Sequence, residues 1–227
     1  MPPVTQDREA RLARIAEHGV VGCGGAGFPA HVKLAATAEC IILNAAECEP
    51  LLHKDKELLR HRGAQVIAGL SQAAELVGAT DVVIGIKGKY ADVIEQLTPR
   101  LGPGMRIVPL SDSYPSGDEF ILVYDVTGRI VPPGGIPLDV GCVTLNVETA
   151  LNIARDQPVI EKYLTVAGAV AEPCTLAVPV GITYAEAIAL AGGATTGDPQ
   201  VLSGGAMMGR RVALDDVLAR SDYERML

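Results

Sequence analysis

Apolar positions follow two rhythms along this chain. Short, largely apolar runs read as strands, Ile41-Ile42-Leu43 and Asp81–Lys87 as buried ones and Met105–Leu110 and Cys142–Leu145 as two more. Between them, Lys56–Val77 and Tyr90–Leu101 carry apolar residues at helical spacing, and a further helix is expected from Ala150. An opening helix over Asp7–His18 presents Leu12, Ile15 and Ala16 on one face and stops at Gly19. Another begins near Pro29, a residue suited to a first helical turn. Strands alternating with helices predict an α/β fold, a Rossmann-like three-layer domain with parallel pairing.

The rhythm changes at Asp156-Gln157-Pro158. Beyond it, Tyr163–Val170 and Cys174–Val180 read as two strands around the turn Ala171-Glu172-Pro173. Tyr184–Ala191 follows as a short helix, Gly192–Gly197 as a loop, and Val201–Gly209 as a last strand and turn. That order describes a small α+β unit of β-grasp type. The expected domains are 1–157 and 158–212, followed by a charged tail, 213–227, in which Asp215–Leu227 is open to a helix.

Composition narrows the classes. The chain has no Trp and two Phe, as suits helices packed closely on buried strands. A net charge of −8 argues against a nucleic-acid partner, which needs a positive face. No run of about eighteen apolar residues offers a membrane span, and Met1–Arg14 lacks the apolar core of a secretory signal, so a cytoplasmic protein is expected. The five cysteines, Cys23, Cys40, Cys48, Cys142 and Cys174, include no Cys-x-x-Cys pair, so no metal site or iron–sulfur cluster is expected in this chain.

The chemistry gathers at the ends of the strands. Gly22-Cys23-Gly24-Gly25-Ala26-Gly27 leaves backbone N–H groups uncovered by side chains, and Lys33 follows closely, so the segment reads as a phosphate cradle. A tight turn between helices is the plain alternative. Polar clusters end the strands or fill the loops after them: Asn44–Glu49, Ser111–Glu119 and Asn146–Thr149. Each alone reads equally well as a cap and a solvated turn. Three such clusters with one glycine loop point to a shared site, because ligands in open α/β sheets bind at strand carboxyl ends. A generic dinucleotide-binding motif is weaker, since Gly22-x-Gly24-x-x-Gly27 follows a helix rather than a strand.

These segments, taken in order, resemble the flavoprotein family that includes the RnfC proteins and the NADH-oxidising subunit of respiratory complex I. The resembling segments are Gly24–Leu34 (GGAGFPAHVKL), Asn44–Pro50 (NAAECEP), Tyr114–Glu119 (YPSGDE), Val131–Gly141 (VPPGGIPLDVG) and Asn146–Thr149 (NVET). Leu151–Asp156 and Ala191–Gly209 bring the likeness nearest to the PduS cobalamin-reductase type, whose second unit is a β-grasp soluble-ligand-binding (SLBB) module.

The resemblance implies FMN, with its phosphate on Gly24, Gly25 and Gly27 near Lys33. The ring and ribityl edges would meet Asn44, Glu47, Tyr114, Gly117, Asn146 and Thr149. It implies NADH over the flavin, met by Phe28, Asp118 and Glu119, with hydride transfer needing no protein acid or nucleophile. Ala46 and Ala36 replace an acidic and an aromatic residue of complex I relatives, which weakens the implied NADH side. The implied role is electron transfer from NADH to a downstream acceptor, toward cobalamin reduction or NAD recycling in a bacterial microcompartment. Homo-oligomer formation stays open, and the competing function is a non-catalytic module that docks through its β-grasp unit.

Overall fold

The computed structural model describes residues 3–219 and 225–226. Its centre is a sheet of four parallel strands, β1 (Cys40–Ala45), β2 (Asp81–Lys87), β3 (Met105–Leu110) and β4 (Cys142–Asn146), in the order β3-β2-β1-β4. The two faces of β1 enter different cores. Ile41, Leu43 and Ala45 join the larger one, whereas Cys40 and Ile42 join a smaller one on the other side. A strand buried on both faces must be apolar throughout, which explains the unbroken run Ile41-Ile42-Leu43.

Helix α1 (Pro3–Glu17) and the short α2 (Ala30–Leu34) precede the sheet. The crossovers decide where a ligand can bind. Helices α3 (Lys54–Val77) and α4 (Ala91–Leu97) link β1 to β2 and β2 to β3, and both pack into the larger core. Helix α5 (Glu119–Thr127) then carries the chain from β3 past β1 to β4, packing Leu122, Val123 and Val126 on the opposite face. The direction of winding reverses between β1 and β4, and the crevice at their carboxyl ends is the topological switch point of such a sheet. Helix α6 (Val147–Arg155) leaves β4 directly and lies against α3. At the crossing, a Cβ on Gly69 would stand 1.8 Å from the Ala150 carbonyl oxygen, so only glycine lets the two backbones meet.

The second unit has its own core, with Leu164, Val166, Val178, Tyr184, Ala187, Ile188 and Val201 buried together. Strands β5 (Glu161–Val166) and β6 (Cys174–Pro179) form an antiparallel hairpin, and β9 (Arg225–Met226) adds to β5 in parallel. Helix α7 (Tyr184–Leu190) starts on a capping box between Thr183 and Glu186, and β7 (Val201–Ser203) pairs with β8 (Arg210–Val212).

Several expectations shift. The helix expected from Ala150 begins at Val147, capped by the Asn146 side chain. That expected over Tyr90–Leu101 divides into α4 and a 3-10 turn, Thr98–Arg100. The strand expected over Tyr163–Val170 ends at Val166, after which Gly168 turns the chain with φ 98°. The tail is not helical over residues 215–219. Val217 bridges Thr183 and Leu218 is buried in the second core. The rest of that expected helix, apart from β9, lies outside the described residues.

Candidate functional site

The glycine segment forms a closed loop before α2. Its ends are joined by Gly22 N–H to Phe28 O at 2.8 Å and Ala30 N–H to Val20 O at 3.1 Å, and Val21 bridges Pro29. Gly25 (φ 111°) and Gly27 (φ 62°) take the left-handed backbone that disfavours side chains. Thr149 pins the loop to α6, since its hydroxyl accepts from Cys23 N–H at 2.9 Å and donates to Val21 O at 3.1 Å. Above Gly24, the nearest heavy atom to an added Cβ is Asn146 Cβ at 4.0 Å, so that side of the loop stays open.

It opens onto a cavity of about 650 Å³ at the ends of β1 and β4, within the range of about 300–1,000 Å³ usual for small-molecule sites. Asn44 and Asn146 are in-register neighbours on those strands. Asn44 Nδ2 donates to Gly117 O at 2.9 Å, tying the loop before α5 to the sheet. Asn146 Nδ2 donates to Asp55 Oδ2 at 2.9 Å while its Oδ1 caps Glu148 N–H. Lys33 Nζ reaches across to Thr144 O at 3.1 Å, and the Thr144 hydroxyl donates to Glu119 Oε2 at 2.6 Å. Asp118 caps α5 through Phe120 and Ile121 N–H.

A buried ionic network underlies this floor. Lys54, Glu148 and Lys162 are fully enclosed, and Glu148 Oε2 lies 2.9 Å from Lys54 Nζ and 3.3 Å from Lys162 Nζ. Lys54 Nζ also lies 3.0 Å from Asp55 Oδ1. Burial alone would raise the Glu148 pKa, but Lys54 and Lys162 hold it below the usual carboxylate range. Lys54 sits well above its ordinary value, because Asp55 and Glu148 outweigh its desolvation. Glu47 is in the opposite condition. Desolvation, with the Asp55 charge beside it, raises its pKa to about 7. Its Oε1 accepts from Asp55 N–H at 3.0 Å, and Oε2 has no hydrogen-bond partner among the described residues. Burial also pushes the Cys23 thiol up to about 11, so it stays protonated and unreactive at neutral pH.

The second unit completes the rim. Both oxygens of Glu49 accept backbone N–H groups of the β7–β8 loop, Met207 at 3.1 Å and Met208 at 2.9 Å. Ser203, Gly204, Met208 and Arg210 thereby line the cavity. A second cleft of about 740 Å³ runs between α3 and the β5–β6 hairpin, walled by Leu58, Leu176 and Ala177. It lies away from the strand ends and the glycine loop.

Of the residues singled out in the sequence, Gly24, Gly25, Phe28, Lys33, Asn44, Glu47, Tyr114, Gly117, Asp118, Glu119, Asn146 and Thr149 all line the cavity. Gly27 does not, and acts through the loop's backbone. Thr149, Asn146 and Asp118 hold protein groups in place as well as facing the cavity. Sequence reasoning missed Lys54, Asp55 and Lys162. The signal for Lys162 was present, since it shares the inward face of β5 with Leu164 and Val166 at period two. The residues fit a flavin mononucleotide: a side-chain-free cradle for phosphate, amides at the strand ends, and an orphaned buried carboxylate oxygen on Glu47.

Residues 15–155 match the family model described as the Nuo51 FMN-binding domain, and residues 163–211 match the SLBB domain. The chain belongs to the Nuo51 FMN-binding family. It is a flavoprotein of the complex I 51K/RnfC type, with an SLBB domain after the flavin domain. It is 47% identical over 213 residues to cobalamin reductase PduS of Salmonella typhimurium, covering 92% of this chain and 47% of the relative. To a subunit of the Na(+)-translocating ferredoxin:NAD(+) oxidoreductase complex of Acetobacterium woodii it is 37% identical over 222 residues, covering 93% and 50%. The chain thus spans about half the length of these curated relatives. A chain in the crystal structure of an NAD+-reducing [NiFe]-hydrogenase superposes with a TM-score of 0.81 at 23% identity, covering 99% of this chain and 47% of that one, a likeness of fold.

Proposed function

We propose that this chain is the NADH-oxidising, FMN-binding part of an electron-transfer flavoprotein that delivers electrons toward cobalamin reduction. The observation that carries this reading is the convergence of the glycine loop, Asn44, Asn146 and Gly117 on one cavity at the switch point of the sheet. The cobalamin end rests on the PduS relative, and the nicotinamide end on the ferredoxin:NAD(+) oxidoreductase relative. The setting, cytoplasm or the interior of a bacterial microcompartment, rests on sequence resemblance alone.

When bound, FMN supplies hydride acceptance and onward release of electrons. The chain's own residues bind and orient. The N–H groups around Gly24 and Gly25 hold the phosphate, and Lys33, half-buried in the cavity wall, adds a positive charge. Asn44 and Asn146 present amides already fixed by Gly117 O and Asp55, so little ordering is left for binding to impose. Phe28, almost half exposed at the rim, offers a face for the adenine. Glu119, held by Thr144, and Asp118 beside it line the nicotinamide side. Purified protein should be yellow, and its flavin absorbance should bleach on adding NADH. Protein that takes up no FMN would instead support a docking module, and flavin that NADH leaves oxidised would remove the NADH-oxidising assignment.

A further inference from the structure

The charged groups lining the cavity are Lys33, Glu47, Glu49, Asp55, Asp118, Glu119 and Arg210. Six are already engaged. Lys33 donates to Thr144, Glu47 accepts from Asp55 N–H, and Glu49 accepts from the Met207 and Met208 N–H groups. Asp55 takes the Asn146 amide, Asp118 caps α5 and Glu119 accepts from Thr144. Arg210 alone has no partner among the described residues, and its side chain is exposed. Around it the cavity is acidic, five carboxylates against two cations, so an incoming polyanion would be repelled unless a cation stood on its path.

The position of Arg210 is built rather than incidental. It is the first residue of β8 and pairs with Ser203, which also lines the cavity. The loop that delivers it is closed by Gly209 N–H to Gly205 O at 2.9 Å, and a Cβ on Gly209 would lie 2.1 Å from that oxygen, so the turn admits only glycine there. Glu49, on the loop after β1, clamps the same turn to the flavin domain through two N–H groups. A planar guanidinium with a fork of donors on a fixed turn suits bidentate recognition of phosphate oxygens.

We propose that Arg210, from the SLBB domain, is a specificity-determining residue that takes the diphosphate of the dinucleotide electron donor, so that the donor site is shared between the two domains. This rests on the NADH-oxidising reading above. The same chemistry could be met by the monophosphate of FMN, but that phosphate has its own cradle in the glycine loop. The diphosphate has no other uncommitted cation among the described residues of the cavity.

The test compares wild type, Arg210→Gln and Arg210→Lys as holoprotein of this 227-residue chain. Flavin content and FMN affinity are measured by titrating flavin-stripped protein, and NADH-driven bleaching is followed across NADH concentration at two ionic strengths. Arg210→Gln should bind FMN like wild type, keep its limiting bleaching rate and need roughly tenfold to a hundredfold more NADH to half-saturate. Arg210→Lys should recover part of that loss, and added salt should weaken wild type more than the Gln variant. If NADH bleaches the wild type and Arg210→Gln half-saturates alike, the inference falls and the reading stands. If FMN affinity drops instead, Arg210 belongs to the flavin phosphate and the inference is wrong. A wild type whose bound flavin NADH does not bleach removes the reading and the inference together.

Discussion

Asn44 and Asn146 face each other in register across β1 and β4, and both of their amides are tied down. Asn44 holds Gly117 O and Ala46 N–H, while Asn146 holds Asp55 and caps Glu148. Each asparagine joins a different segment to the sheet, so the cavity that both line is shaped before any ligand arrives. Preorganisation of this kind lets small changes at the rim act on binding without disturbing the fold.

Gly24→Ala should separate binding from folding. The added methyl meets nothing closer than Asn146 Cβ at 4.0 Å, and Gly24 is not among the glycines with positive φ. It projects into the cradle, where the phosphate needs close approach to backbone N–H groups. We expect an unchanged melting temperature and FMN affinity lower by about tenfold, the value of roughly one lost charge-assisted hydrogen bond. Full FMN affinity in this variant would show that the loop does not carry the phosphate.

Lys33→Ala should lower FMN affinity by roughly tenfold to a hundredfold if its ammonium meets the phosphate. The structure adds a second effect, since Lys33 Nζ also satisfies Thr144 O on β4. Loss of that bond should cost the flavin-free protein about 0.5–1.5 kcal/mol. Chemical unfolding without flavin and FMN titration measure the two separately. A stability loss with unaltered FMN affinity would leave Lys33 a purely structural residue.

Much of this was legible in the sequence, and the parts that were not share a cause. Met105–Leu110, an edge strand with Arg106 and Pro109 exposed, stands where it was expected, and Asp81–Lys87 does so because a doubly buried strand announces itself by continuity. Phe120–Val126 has the same continuity yet forms α5. Asp118 at its N-cap and Gly128 (φ 74°) at its end decide the matter, and apolar runs of this length do not. At the site, the glycine loop and the strand-end amides are local signals. Glu148 meeting Lys54 across 94 positions, or Glu49 clamping Met208 across 159, is a product of topology that no local pattern carries.

Glu148→Gln should be severely destabilising. The substitution leaves Lys54 and Lys162, both fully buried, facing an amide in place of a carboxylate. Breaking a buried pair in this way costs about 3–5 kcal/mol, which for a chain of this size lowers the melting temperature by on the order of 10 °C. The double variant Glu148→Gln/Lys162→Met should lose less than the sum of the single changes, because one stranded charge is removed with its partner. Additive losses measured by thermal unfolding would mean that Lys162 does not depend on Glu148.

Glu47 sets a pH dependence of opposite sign to that of an ordinary ion-paired carboxylate. Its pKa rises from 4.5 to about 7 on folding, through desolvation first and the neighbouring Asp55 charge second. Between those values the native state holds a proton that the unfolded chain has released, so stability falls as pH rises. The penalty is absent below about pH 4.5 and complete above about pH 7, where it is on the order of 3 kcal/mol. Glu47→Gln keeps an acceptor for Asp55 N–H but cannot ionise. Its unfolding free energy, measured by denaturant titration from about pH 5 to about pH 8, should exceed that of wild type increasingly toward the alkaline end and converge with it toward the acid end. A constant difference across that range would mean that Glu47 ionises normally in the folded protein, and that a partner for Oε2 offsets its burial.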